Sequence, residues 1–411
     1  MESSLNARLT FEQVRASGEP CRPLEFPPPQ VGKGIRVRAL VIDSNTGERR
    51  GWSIIHREDF GISSKIANGH CEPQFVAYAP SRQLQTAIYG SVWACVVLKR
   101  HYGVAANNDA AIAVGIEPGS PCAPIVWETT NRFVAIKMVE WAKVQQSRGA
   151  LLEDPIKEIA AMQYIGNTSP HLLGPVEALQ DNDCLYNIMP YCNGGDLFGV
   201  VVNYAQESGG ERGMPEPVAR YWFRQILKGL FHLQSVGVCH RDLSLENILV
   251  DNENCLIIDM GMCLHVPYND PAIPGNVVDA RRGSTRRLMR PQGVCGKHNY
   301  MSPEVYANTG PFDGFAIDLW STAVILYIMF TGFPPYEMAD MRNKRFEIIA
   351  KGRLVQQLEE WDVHLSEDAG DLLQNMMKVD PRERLTLAEV MSHPWVVNGD
   401  VQPPPPRQSF H

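Results

Sequence analysis

The run His240-Arg241-Asp242-Leu243-Ser244-Leu245-Glu246-Asn247 sets a carboxylate and an amide five residues apart. A hydroxyl attacking phosphorus needs a carboxylate placed to receive its proton, and an amide oxygen nearby can hold magnesium on the phosphates. Asp242 and Asn247 have the separation that puts both at one nucleotide. Twelve residues after Asn247, behind a short apolar run, a second carboxylate opens Asp259-Met260-Gly261. That oxygen donor suits magnesium, a hard cation. Upstream, Val134-Ala135-Ile136-Lys137 puts a lysine in a strand-like run, where it can hold α- and β-phosphates if a carboxylate fixes it. Glu158 is the candidate partner, with Glu153 as the alternative.

These groups need elements to carry them. Strand patterns occur at Ser91–Leu98 and Phe133–Val139, and short ones at Ile248–Val250 and Cys255–Ile258. Between the first two lies a Gly/Ala/Pro-containing stretch, Lys99 to Arg132, that reads as a loop insertion. Ile156, Ile159, Ala160, Met162 and Ile165 have helical spacing, and so do Trp222, Phe223, Ile226, Leu227, Leu230 and Leu233. Strands come first and helices later, so two lobes of different class are expected. In residues 1–79, Ile35–Val41 and Trp52–Ile55 flank the turn Asn45-Thr46-Gly47 and predict a β-hairpin of unknown role. Residues 397–411 form a tail that ends in a proline run, Pro403 to Pro406, and reads as extended.

The motifs together closely resemble the signature set of eukaryotic protein kinases over residues 80–396. Met189-Pro190-Tyr191-Cys192-Asn193-Gly194-Gly195-Asp196 looks like a gatekeeper and hinge. Ser302-Pro303-Glu304 is similar to the A-P-E element, and Arg384 matches the arginine that pairs with its glutamate. Asp318-Leu319-Trp320-Ser321 looks like the start of the buried central helix of the large lobe. His393-Pro394-Trp395 resembles the closing motif of calmodulin-dependent-kinase-like members. The resemblance implies an α+β, bilobal fold: a small β-rich N-lobe with one helix over residues 80–190, interrupted by the 99–132 insertion, and a larger helical C-lobe over 193–396. It implies ATP and Mg2+, with Asp242 as catalytic base or orienting carboxylate, Asn247 and Asp259 as metal ligands, and Lys137 with Glu158 clamping phosphate. Val92, Ala135 and Leu249 would sandwich adenine, Met189, Pro190 and Cys192 would line or bond it, and Asp196 would reach the ribose. The expected activity is transfer of the γ-phosphate to serine or threonine hydroxyls of proteins.

The sequence also departs from that pattern. The glycine-rich loop reads Gln85, Ala87 and Gly90, so only the third glycine survives. Weaker ATP binding follows, because backbone flexibility near phosphate is lost. The position two after Asp242, usually lysine, is Ser244, and the nearby threonine position before Ser302 is Lys297. A hydroxyl and an amine look exchanged, and Lys297 is expected to supply the cation near the γ-phosphate. These departures keep a pseudokinase, a nucleotide-binding or scaffold module without turnover, open as the alternative. Against it stands the survival of Lys137, Glu158, Asp242, Asn247 and Asp259.

The segment between Asp259 and Glu304 carries Arg281, Arg282, Arg286, Arg287 and Arg290 around Ser284 and Thr285. A phosphate there would meet arginines, and Arg241 is the usual receiver of such a phosphate. The stretch where the regulatory phosphosite commonly sits reads Pro291-Gln292-Gly293-Val294 and offers no hydroxyl. Asp196 and Glu246 would favour basic residues before the target hydroxyl only mildly, since Ile328 stands where arginine-directed members carry an acid. A net charge of −8 argues against a nucleic-acid partner. The apolar run Leu319–Phe330 falls short of the roughly 20 residues a bilayer crossing needs and predicts a buried core helix. Ten cysteines without C-x-x-C spacing, and an N-terminus without an apolar core, point to an intracellular compartment, cytoplasmic or nuclear. Protein substrates are the expected partners, with a regulatory partner at residues 1–79 or at the Pro-rich tail.

Overall fold

The computed structural model describes residues 15–58, 76–101, 126–147, 152–207 and 213–403. These fall into two compact units. The first is drawn from residues 29–151 and 174–191 and is built of strands. The second is drawn from residues 1–28, 152–173 and 192–411 and is mainly helical. The expected fold class, β-rich first and helical later, is the one observed.

In the first unit seven strands close into a barrel: Gly32–Ile42, Arg49–Arg57, Val76–Ala87, Gly90–Arg100, Trp127–Glu140, Glu177–Gln180 and Cys184–Pro190. The opening hairpin pairs Ile35 with His56 through to Ile42 with Arg49. Its turn is fixed locally. Asp43 Oδ1 accepts from the amides of Asn45 (2.9 Å) and Thr46 (3.1 Å), and Gly47 takes a positive φ of 72°. The hairpin then closes the barrel through the parallel pairs Gly32 with Leu179 and Val41 with Trp127. Alternation gives it a buried face. Ala39, Val41 and Ile54 pack with Ala77, Ala79, Val96, Leu98 and Trp127.

Three expected boundaries are drawn differently. The division after residue 79 falls inside the strand Val76–Ala87, and the hairpin before it shares one barrel with the strand of Lys137. The helix expected in the small lobe, Pro155–Ile165, belongs to the helical unit, while the barrel unit holds the short helix Trp141–Gln146. The flanking strands run into the 99–132 insertion, pairing Lys99 with Glu128 and Arg100 with Trp127. Its middle, 102–125, lies outside the described residues, as do 1–14 and 404–411.

In the helical unit, Gly314–Thr331 is apolar on every side and buried along its whole length. Asp313 caps its start by accepting from the Phe315 amide, and Gly332 closes its end at φ 80°. Helix Glu216–Ser235 buries Trp222, Phe223, Ile226, Leu227, Leu230 and Leu233, the positions its spacing marked. Arg384, fully buried, joins this core to the chain before it. Its guanidinium holds Glu304 in two bonds of 2.8 and 3.1 Å, donates to Ala316 O at 2.7 Å, and lies 4.9 Å from the Trp320 ring centre.

Candidate active site

The carboxylates of the helical unit are brought together by one short hairpin. Strand Ile248–Asp251 pairs with Asn254–Ile257, turning at Asn252, whose φ of 54° suits asparagine. The Ile258 amide then donates to Asn247 O at 3.0 Å, so the residues flanking the hairpin, Asn247 and Asp259, end side by side. Before it, Leu245–Asn247 form a single 3-10 turn. Asn247 Nδ2 donates to Asp242 O at 2.8 Å and to Asp242 Oδ2 at 3.1 Å. With its nitrogen so used, the amide oxygen of Asn247 is the atom left for a cation. Asp259, at φ 67°, accepts from the Gly261 amide at 3.1 Å.

Asp318 supports this loop from beneath. Its two carboxylate oxygens accept from the amides of His240 (2.6 Å) and Arg241 (2.8 Å), holding Arg241 at φ 67°. Burial pushes the Asp318 carboxyl up to about 6, against the pull of the amides and nearby cations. His240 Nε2 lies 2.8 Å from Ile258 O, and its Nδ1 accepts from the Asp242 amide at 3.3 Å. The loop is thereby tied to both the central helix and the Asp259 strand. Sequence reasoning marked Asp318 only as the start of a helix. Its signal was a lone carboxylate opening an otherwise apolar run.

Burial also raises the Asp242 carboxyl above its ordinary range. His240 opposes the rise, the Asp259 charge adds to it, and the cation of Lys297 and the Asn247 bond oppose it further. Lys297 turns inward. Its Nζ donates to the buried Ser244 Oγ at 2.8 Å and lies 3.2 Å from Glu246 Oε1. Gly296 makes this approach feasible. It has φ 85°, and a Cβ there would stand 3.1 Å from both Arg241 O and Asp242 Oδ1. Tyr300 Oη also donates to Glu246, at 3.3 Å.

Asp196 and Leu249 are bridged across the same unit. Gly194 donates to Val250 O at 3.0 Å, and a Cβ on Gly194 would stand 2.4 Å from that oxygen, so glycine is required there. Asp196 Oδ1 accepts from the Gly199 amide at 2.8 Å, in the first turn of helix Leu197–Glu207. Cys192 lies nearby in sequence, its thiol pushed up to about 11 by burial. Glu158 is buried on helix Pro155–Ile165, which starts at Asp154, whose Oδ1 accepts from Ile156 N at 2.9 Å. Glu153, the alternative, packs its side chain against Gly261.

The remaining candidates belong to the barrel unit. Val92 is paired with Lys137, and Ala135 with Met189, while Val134 is paired with Pro190. Val134 and Ile136 point into the barrel core, so Ala135 and Lys137 share its outer face. Gly90 ends a two-residue turn, Ile88-Tyr89, from the strand of Gln85 and Ala87. A Cβ on Gly90 would stand 2.0 Å from Met138 O, which explains why this glycine is present. Among the described residues no three His, Cys, Asp or Glu side chains form a metal cluster. Magnesium needs none, since one or two protein oxygens with phosphate and water complete its shell. Asn247 and Asp259 fit that requirement.

The carboxylates gathered by the hairpin and the tied loop form a candidate phosphoryl-transfer site within the helical unit, and comparison with known proteins gives the class. A protein kinase domain is matched over residues 119–396, and the chain belongs to the protein kinase family. It is similar to serine/threonine-protein kinase DCLK3 of Mus musculus, at 30% identity over 270 residues, 65% of this chain and 30% of that protein. It is 32% identical over 282 residues to CBL-interacting protein kinase 16 of Oryza sativa subsp. japonica, 67% of this chain and 53% of that protein. Probable serine/threonine-protein kinase KCC4 of Saccharomyces cerevisiae is 29% identical over 274 residues, 65% of this chain and 23% of its own length. These relatives fall in the calmodulin-dependent-kinase-like group to which the closing motif pointed. The chain spans about a quarter to a half of their lengths. The domain match begins at residue 119, beyond the altered loop at 85–90.

Proposed function

We propose that the chain is an active serine/threonine protein kinase that uses ATP and Mg2+ to phosphorylate protein hydroxyls. The observation that carries this is the bond from Asn247 to Asp242 Oδ2, with Asp259 beside Asn247 on one hairpin. Asp242 orients the acceptor hydroxyl and takes its proton as oxygen attacks the γ-phosphorus and ADP leaves. Asn247 and Asp259 would hold the magnesium that neutralises the phosphates. Lys137, Val92, Ala135, Met189 and Pro190 are the nucleotide-binding candidates of the barrel unit, and Leu249, Cys192, Asp196 and Glu158 are those of the helical unit. Lys297 supplies the cation that position 244 lacks. The Ser/Thr choice is supported by the relatives' names and by the absence of a tyrosine-kinase pattern at Ser244-Leu245-Glu246. Glu246 already faces Lys297 and Tyr300, so a basic preference in the substrate is weak. The eight described cysteines are free thiols and suit a reducing intracellular setting.

The pseudokinase reading keeps one specific support, the loss of the first two loop glycines at Gln85 and Ala87. The two readings separate in one experiment. Transfer from γ-labelled ATP with magnesium to a generic protein substrate is measured for the protein and for Asp242→Asn. Activity that falls by about a thousandfold or more in the variant establishes the kinase. Magnesium-dependent ATP binding with no transfer in either form would leave the scaffold module.

A further inference from the structure

Several arginines around Ser284 and Thr285 are already engaged. Arg241 donates to Gly293 O at 3.0 Å and to Met262 O at 3.5 Å. Arg286, buried, holds Asp313 at 2.8 and 3.0 Å. Arg287 Nη2 donates to Glu19 O at 2.5 Å, Arg290 Nε donates to Pro20 O at 3.2 Å, and Arg281 lies 5.3 Å from the Tyr164 ring centre. Thr285 Oγ1 accepts from Asn269 Nδ2 at 2.8 Å. Two of these partners, Glu19 and Pro20, come from the far N-terminal end of the chain.

Residues 15–28 lie extended along the helical unit. Arg15 Nη1 donates to Arg384 O at 2.7 Å, and its guanidinium lies 3.7 Å from Glu389. The Ala16 amide donates to Asp313 Oδ2 at 3.3 Å, the carboxylate that holds Arg286. Ser17–Cys21 pairs in parallel with Arg287–Met289, and the Arg290 amide donates to Cys21 O at 3.0 Å. The Leu24 amide then donates to His265 O at 2.9 Å. Phe26 stacks on the His265 ring at 5.2 Å and meets Tyr164 edge-on at 5.6 Å. Tyr164 belongs to the helix that carries Glu158, and its hydroxyl is 3.1 Å from His265 Nε2.

We propose that residues 15–28 are a positioning strap that holds segment 264–290 in its working arrangement without a phosphate. The strap adds a strand to one end of the segment, fixes the other end at His265, and bears on the Glu158 helix through Phe26. Backbone pairing thereby does the ordering that a phosphate on an arginine cluster would otherwise do. Arg241, Arg286, Arg287 and Arg290 already meet carbonyls or Asp313, so a phosphate that drew them toward Ser284 or Thr285 would compete with the contacts that hold the strap. Leu24 and Phe26 act on the segment at His265, while Arg15 anchors the strap's start on Arg384 and Glu389.

The test has two arms, both on the full chain. The first measures amide hydrogen exchange in wild type, in Arg15→Ala with Phe26→Ala, and in Phe26→Tyr, which keeps the ring. Exchange across 264–290 rises about tenfold in the double variant and stays near wild type in Phe26→Tyr. Unchanged exchange in the double variant overturns the proposal, and so does a rise spread equally over Glu216–Ser235, which would mean a merely structural loss. The second arm rests on the kinase reading. Phosphatase-treated wild type, shown phosphate-free by mass spectrometry, keeps kcat within about twofold, and the double variant lowers kcat with the KM for ATP unchanged. A fall of about tenfold on phosphatase treatment overturns the strap's role. If wild type transfers no phosphate at all, the kinase reading has failed, and the exchange arm decides the strap alone.

Discussion

Lys297 sits where two demands meet. Its ammonium is 2.8 Å from Ser244 Oγ and 3.2 Å from Glu246, and its charge opposes the burial that raises the Asp242 carboxyl. Lys297→Met removes that opposing charge, so the Asp242 carboxyl rises further. A base works only when deprotonated. On the kinase reading, the acid limb of kcat moves to higher pH in the variant. We expect kcat near neutral pH to fall by about tenfold or more while the KM for ATP changes by less than about threefold. A kcat profile over about pH 5 to 9 checks it. An unshifted acid limb would show that Lys297 does not reach Asp242. The exchange of hydroxyl and amine was visible in the sequence because both positions flank recognisable motifs. The distance between them was not, since Gly296 and its positive φ decide how closely the two loops approach.

At the scale of elements, the bond between Arg384 and Glu304 ties the segment after Lys297 to the central helix. Arg384 has no exposed surface, and its two nitrogens each meet one carboxylate oxygen. Arg384→Met leaves Glu304 as a nearly buried, unpaired charge and strips a donor from Ala316 O. Breaking such a pair costs about 3–5 kcal/mol, and Glu304→Gln in the Arg384→Met background should return part of it. Urea denaturation of the four proteins measures the coupling, and additive effects would refute it. This pair was legible because both partners lie in spaced motifs. The central helix was legible as an unbroken apolar run, and helix Pro155–Ile165 by its period, its Asp154 cap and Pro155. Residues 17–21 were not legible as a strand. Ser-Gly-Glu-Pro-Cys has no alternation, and it is extended only because Arg287–Met289 offers it a backbone edge.

At the scale of the molecule, the barrel reaches beyond the matched domain. The hairpin Gly32–Arg57 precedes both the altered glycine loop and the matched domain, yet it supplies two of the barrel's seven strands. Its turn and alternation could be read from sequence. Its attachment could not, because parallel pairing of Gly32 with Leu179 and Val41 with Trp127 joins residues far apart in the chain. Closure leaves no sheet edge, so strand pairing and one shared core join the hairpin to the strand of Lys137. Ile54 is fully buried in that core, against Ala77, Val96, Leu98 and Trp127. Ile54→Ala should cost about 2–5 kcal/mol, as other large-to-small core changes do. If the barrel is one cooperative body, the loss appears as a single earlier transition in the fluorescence of Trp52, Trp93 and Trp127, and the ATP binding proposed for Lys137 is lost at the same urea concentration. A hairpin that melts by itself, with ATP binding persisting beyond its transition, would instead make residues 32–57 an appended module. The barrel would then owe its closure to contact alone and not to cooperative folding.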